Sequence, residues 1–275
     1  MREGGWCWRP RITTTDDSHR PMWVPLEILQ NLIMGIPPVA KLAGRCHRTG
    51  LNADRAIARQ VFELYCRYQT VVGKDILEIG PGQTLEVLEE ALMSGAKSCA
   101  AVDVHPYLTA EQAADKCINY RLYDGKRLPF SSAQFDLIWS YTAFEHLRYP
   151  GITVTECFRL LRPGGWMVAH IDMGDHTYYG RRPSQPLRAF ECLRYPRWLW
   201  TLMKCNRSSY VNRLRKSEWK RLFEEAGFVL KAETCSASPE IDQALPALPY
   251  LHRYSHDDAV TAVLTVWLEK PAVDC

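Results

Sequence analysis

The chain changes rhythm near residue 70. Before it, apolar positions recur at helical spacing. After it, short continuous apolar runs alternate with helical stretches. The runs predict strands at 75–79, 98–103, 118–122, 135–139, 165–172, 227–233 and 260–268. Helical periodicity lies between them at 84–94, 109–116 and 150–161, and ahead of them at 53–69, where Asn52 stands as the cap. In that first helix Ile57, Val61, Phe62, Tyr65 and Cys66 share one face. Strand–helix–strand alternation predicts parallel strands joined by right-handed crossovers. Runs as apolar as Asp75-Ile-Leu-Glu-Ile79 suit a sheet covered on both faces. The last two strands have no periodic helix between them, and 234–259 reads as a loop, so they are expected to pair antiparallel. The stretch from Trp23 to Ala43 is apolar but interrupted by Pro25, Glu27, Gln30, Asn31 and Pro37-Pro38. It reads as a short helix packing on the core, with contact to a membrane surface as the lesser reading.

Composition narrows the class. With 275 residues, 47% hydrophobic and 24% charged, the chain can pack a large α/β core. The formal charge of +3 is too small to argue for nucleic acid. Ten cysteines show no paired CxxC spacing, which points to scattered free thiols in a reducing, cytoplasmic setting. The charge is unevenly placed. Residues 181–221 hold twelve Lys or Arg against Glu191 and Glu218, a net of +10 that leaves −7 for the rest. The same stretch carries Phe190, Tyr195, Trp198, Trp200, Tyr210 and Trp219. A cationic aromatic segment attracts an acidic or phosphorylated small molecule, or an anionic membrane surface; the bland alternative is a solvated helical face.

Four motifs carry the chemistry. The first strand ends in Glu78-Ile-Gly80-Pro-Gly82, a bend whose glycines let a ligand approach the backbone. A dinucleotide fingerprint would place its third glycine at position 85, where Leu85 stands. Glu78 would repel a diphosphate but suits a cationic amino-acid group. The second strand ends in Asp103-Val104, and such a carboxylate can accept both hydroxyls of a ribose. The third motif is Asp124-Gly125-Lys-Arg-Leu-Pro-Phe130 with Phe135-Asp136 following, and the fourth is Leu161-Arg-Pro-Gly-Gly165.

In this order and spacing, with Glu145-His146 between the last two, the motifs resemble the class I S-adenosylmethionine (SAM)-dependent methyltransferases, most of all the type 11 group of small-molecule enzymes, over residues 70–172. The resemblance implies a Rossmann-like, seven-stranded, mostly parallel sheet with helices on both faces and the last strand antiparallel. It implies SAM as cofactor. Glu78, Gly80 and Gly82 would line its methionine end, Asp103 and Val104 its ribose, Asp124 and Gly125 its adenine edge, and Ser140 and Tyr141 would lie near the methyl donor. Residues 1–50 then read as an arm and helix, and 51–275 as the methyltransferase domain. A basic aromatic cap is inserted between the fifth and sixth strands at 176–221.

Methyl transfer from a sulfonium needs alignment, and an oxygen acceptor also needs a proton removed. His146, His176 and Asp172 are the candidates for that step. The run Asp172-x-x-Asp175-His176 also has metal-ligand composition, but no further ligand cluster accompanies it, so no metal is expected. A small-molecule, secondary-metabolite or glycan acceptor is expected, and nucleic acid is disfavoured because Ser140-Tyr-Thr-Ala143 replaces the Asp/Asn-Pro-Pro-aromatic signature of amino-methylating DNA enzymes. The competing readings are a nicotinamide-dependent oxidoreductase of the same fold and a non-catalytic interaction protein using the basic segment.

Overall fold

The computed structural model describes residues 24–36, 38–39, 55–174, 190, 192–207 and 210–272. Seven strands form one sheet in the order β3-β2-β1-β4-β5-β7-β6. They are β1 (Asp75–Ile79), β2 (Ser98–Asp103), β3 (Ile118–Leu122), β4 (Phe135–Tyr141), β5 (Leu161–Asp172), β6 (Val229–Ala237) and β7 (Thr261–Glu269). The first five pair in parallel, and β7 runs antiparallel to both β5 and β6. The helices are α1 (Val24–Met34), α2 (Arg55–Tyr65), α3 (Glu86–Met93), α4 (Ala110–Ala114), α5 (Pro150–Leu160), α6 (Arg197–Lys204), α7 (Lys216–Glu225), α8 (Pro239–Ala244) and α9 (His256–Val260).

Alternation along β1 divides the core. Leu77 and Ile79 face a cluster shared with Phe144, Val154 and Cys157 and with Trp219 and Phe223 of α7. Ile76 faces the opposite cluster, with Val61, Phe62 and Tyr65 of α2 and Leu88 of α3. Both faces of the central strands are therefore dry, which is why their sequences are continuously apolar. At the opposite end of the strands from the Gly-rich bend, Arg162 bridges Asp136 Oδ2 at 2.7 Å and Asp75 Oδ2 at 2.9 Å. Asp136 also accepts the Asp75 amide at 2.8 Å. The Phe-Asp and Arg-Pro-Gly-Gly motifs thus fasten β1, β4 and β5 together, away from the bend.

Three readings of the sequence need correction. First, β5 begins at Leu161 rather than 165, because Leu161 already pairs with Phe135 ahead of a register shift. Second, β6 lies two residues later than expected and runs on to Ala237. Third, 238–260 is not a loop. It holds α8, α9 and two short 3-10 turns, pieces too brief to show a periodicity. This connection packs on the segment entering α6. Phe190, Cys192, Leu193, Trp200 and Val211 bury a third cluster with Ile241, Leu248, Leu251 and Ala259. Both connections leave the carboxyl end of β5 and its neighbours, so the third cluster sits at the rim where β1 to β5 end.

The helix α1 does form, but against α6 rather than against the sheet. Its inward side is polar. Glu27 is buried and bonds Lys204 Nζ at 2.8 Å and the Arg207 guanidinium. Asn31 donates to the Leu202 carbonyl at 2.9 Å and accepts the Asn206 amide at 2.7 Å. Leu26, Leu29, Leu32, Ile33 and Ile36 are left exposed. Among the described residues no helix is long and apolar enough to cross a membrane.

Candidate active site at the carboxyl rim of the sheet

Sheet order reverses between β1 and β4, which places a crevice beyond their carboxyl ends. Gly80 and Gly82 both take φ of +72°, the left-handed region that disfavours a side chain. Gly80 is also closely packed, since a Cβ there would stand 2.5 Å from the Ala143 Cβ. The first bend therefore lies directly on the turn that follows β4. The Gly80 amide donates to the Val102 carbonyl at 2.8 Å, which ties the bend to β2.

Asp103 closes the other side. It is buried, and its Oδ1 accepts the His105 amide at 2.9 Å. Burial pushes its carboxyl up to about 6, while the amides of His105, Gly82 and Val104 pull the other way. Gly82 and Asp103 are thus neighbours in space. Val104 is largely exposed beside them. Past β3, Asp124 Oδ1 accepts the amides of Lys126 and Arg127 at 2.8 and 2.9 Å, and these bonds hold its carboxyl below the usual range. Gly125 follows with φ of +79°, and a Cβ there would meet Val104 at 3.7 Å. The Leu-Pro-Phe portion serves as an anchor. Glu156 accepts the Leu128 amide at 3.0 Å, and Arg159 donates to the carbonyls of Phe130 and Leu128.

Glu78 sits one residue inside β1 on the α2 side and is 4% exposed. Burial drives its carboxyl up to about 8, and the Tyr65 phenol beside it opposes that shift. The Tyr65 ring stacks on Trp139 at 4.7 Å, fixing it there. Sequence reading did not find Tyr65 as a site residue; it counted only as one of the apolar positions of its helix.

Ser140 is buried and donates its hydroxyl to the Ile79 carbonyl at 3.1 Å, so it joins β4 to the foot of the bend. Tyr141 stacks flat on His170 at 4.4 Å, and desolvation raises its phenol, followed by the charges of Asp172 and Glu145. His170 bonds Thr265 Oγ1 through Nδ1 at 2.7 Å, and burial lowers it to about 4, with Asp172 opposing. It is therefore a neutral ring at physiological pH. Asp172 Oδ1 accepts the Gly174 amide at 2.8 Å. His146 ends the short turn after β4, and its Nδ1 lies 2.6 Å from the Tyr210 carbonyl. A carbonyl only accepts, so Nδ1 carries the proton and the neutral ring has its basic lone pair on Nε2. Asp175 and His176 lie outside the described residues.

The rim gains a wall that the sequence did not announce. Asn212 donates its amide to the Glu145 carbonyl at 2.7 Å and its side chain to the carbonyls of Phe144 and Leu147 at 2.8 and 3.3 Å. The run from Tyr210 to Leu214 is thereby fastened onto the turn that bears His146.

The cradle fits an adenosyl amino acid. Two left-handed glycines leave room for close approach, a buried acid ends β2, and a buried carboxyl stands at the bend. Leu85, where a diphosphate-binding loop would need glycine, is instead 2% exposed in the core.

Comparison with known proteins agrees. Residues 77–169 match the family model described as a methyltransferase domain. A ubiquinone biosynthesis O-methyltransferase of Nitrosospira multiformis is 24% identical over 168 residues, 58% of this chain and 65% of that protein. Among solved structures, a SAM-dependent methyltransferase of Mesorhizobium loti shares 18% identity with a TM-score of 0.50, covering 78% of this chain and 96% of that one. A chain of the complex formed around the Haloferax volcanii Trm112 methyltransferase activator shares 18% identity with a TM-score of 0.52, covering 79% and 90%. The chain spans between 26% and 65% of the lengths of the curated relatives it matches.

Proposed function

We propose, from the match of residues 77–169 to a methyltransferase-domain model, that the chain moves the methyl group of SAM to an oxygen of a small-molecule, secondary-metabolite or glycan acceptor held between the rim and the cap. Bound SAM supplies an electrophilic methyl on a sulfonium, and the protein's task is to hold partners in line and dry.

In this reading Gly80 and Gly82 admit the methionine end, and the Glu78 carboxylate pairs with its ammonium. Asp103 accepts the ribose hydroxyls, with Val104 against the sugar. The backbone at Asp124 and Gly125 meets the adenine edge. Ser140 keeps the bend in register with β4, and Tyr141, braced on His170, shields the donor from water. His146 takes the acceptor's proton at Nε2, the nitrogen left basic by the Tyr210 carbonyl, and Asp172 biases the field around Tyr141 and His170. His176 keeps its place as a second candidate base. The oxygen assignment draws on two relatives named as O-methyltransferases, one acting on malonyl-acyl carrier protein. A nicotinamide enzyme fits less well, since a buried carboxyl at the bend and Leu85 both work against a diphosphate.

The observation that carries the proposal is the contact of the Gly80 bend with the turn bearing His146. Because Ala143 stands three residues before His146, that contact supports a base close to the cofactor cradle. Incubation with methyl-labelled SAM and metabolite extract should label a product identifiable by mass spectrometry. His146→Ala should lower kcat by about 10²–10⁴ with unchanged affinity for S-adenosylhomocysteine (SAH). Full activity of that variant would remove the base, and no labelled product would remove the reading.

A further inference from the structure

Three cations of the cap are buried, and they do not live alike. Lys204 is paired with Glu27 at 2.8 Å. Arg215 donates Nη2 to the carbonyls of Asp258 and Ala259 at 3.2 and 3.0 Å, and to that of Thr261, so it fastens α9 to the start of β7. Arg213 is different. It is 4% exposed, yet among the described residues no acceptor meets its Nε, Nη1 or Nη2.

A buried guanidinium without an acceptor is an expensive arrangement, because it gives up hydration and receives nothing for five N–H groups. The Tyr250 ring, 4.2 Å from the guanidinium carbon, attracts its face. The N–H edges, where hydrogen bonds form, are not served by that contact. The backbone is held unusually too: Arg213 has φ of +66°, a region L-residues avoid. The anchors that hold it there are those of its neighbour Asn212, bonded to the three carbonyls of the His146 turn. Backbone strain and desolvation thus hold an unsatisfied planar fork one residue from the Asn212 anchor on the His146 turn.

We propose that Arg213 is the anion-recognising residue of the acceptor site, binding a carboxylate or phosphate carried by the methyl acceptor through a forked pair of hydrogen bonds. A guanidinium matches the oxygen pair of either group, which an ammonium does not. Tyr250 backs the guanidinium, and so the connection between β6 and β7 takes part in substrate selection. The inference rests on the acceptor site proposed above. It adds that the acceptor is an acid.

The test uses the full chain, labelled with ¹⁵N-arginine and loaded with SAH. The Arg213 Nε–H signal is identified as the one missing from Arg213→Lys. Benzoate and phenyl phosphate are titrated separately at constant ionic strength against sodium chloride. The proposal expects this signal to move and saturate with at least one probe and to ignore chloride. Benzoate alone assigns a carboxylate, and phenyl phosphate alone a phosphate. In calorimetry, Arg213→Lys should bind the responding probe about tenfold more weakly or not at all. Arg213→Met should keep SAH binding and melt no lower than the parent in the absence of anion, since an uncompensated charge has been removed. A signal that ignores both probes overturns the proposal. So does an Arg213→Met variant that melts well below the parent, which would make Arg213 a packing residue. Failure of the parent to bind SAH would instead strike the methyltransferase reading.

Discussion

Glu78→Gln separates what the first bend does for folding from what it does for binding. The ordinary glutamate value is 4.5, and Glu78 is pushed up to about 8 by burial. Between those values the native chain holds a proton that the unfolded chain has released, so this group's contribution to stability falls as pH rises and levels off above 8. At about 1.4 kcal/mol for each tenfold change in proton affinity, the ligand-free fold gives up roughly 3–5 kcal/mol across that range. Glutamine keeps the shape and loses the titration. The variant without ligand should therefore melt above the parent at pH 8.5–9, with the difference closing towards pH 5. Binding should go the other way. A neutral amide lacks the charge that pairs with the amino-acid ammonium, and SAH affinity should drop by about 10–100-fold. Differential scanning calorimetry from pH 5 to 9 measures the first, and titration calorimetry at pH 8 the second. Parallel stability curves for the two proteins, or equal SAH affinity, would refute the reasoning.

Other substitutions test the remaining joints. Gly80→Ala should abolish SAH binding and cost about 2 kcal/mol or more in denaturant melts, since its Cβ meets Ala143 at 2.5 Å in a left-handed backbone. Asp103 titrates near 6 by burial, so SAH affinity of the parent should weaken as pH falls below that value, and Asp103→Asn should be weak throughout and lose the dependence. Glu27→Gln should destabilise the contact of α1 with α6 by about 3–5 kcal/mol, read from local hydrogen exchange, because it removes the buried carboxylate that Lys204 and Arg207 share.

The cradle was legible in the sequence because its parts are local. Gly80 and Gly82 follow β1 and Asp103 ends β2, strands whose limits the apolar runs marked to the residue, and a bend of two glycines announces itself. What was missed comes from apposition. Tyr65 looked like one more apolar position on its helix, and only packing brings its phenol to Glu78. Asn212 and Arg213 lie in a run with no period, beyond the segment that carries the motifs, and their backbone anchors on Phe144, Glu145 and Leu147 leave no trace in residue type. Charge count marked their segment as cationic without telling a paired Lys204 from an unpaired Arg213. The helices between β6 and β7 are too short for the 3.6-residue rhythm to emerge, which is why that connection read as a loop.

Titration calorimetry of the purified 275-residue chain with SAH, run beside NADH, bears on the central claim most directly. A single saturable site for SAH that Gly80→Ala abolishes, with no heat from NADH, is the result this account requires. Saturable NADH binding with silence towards SAH would contradict it.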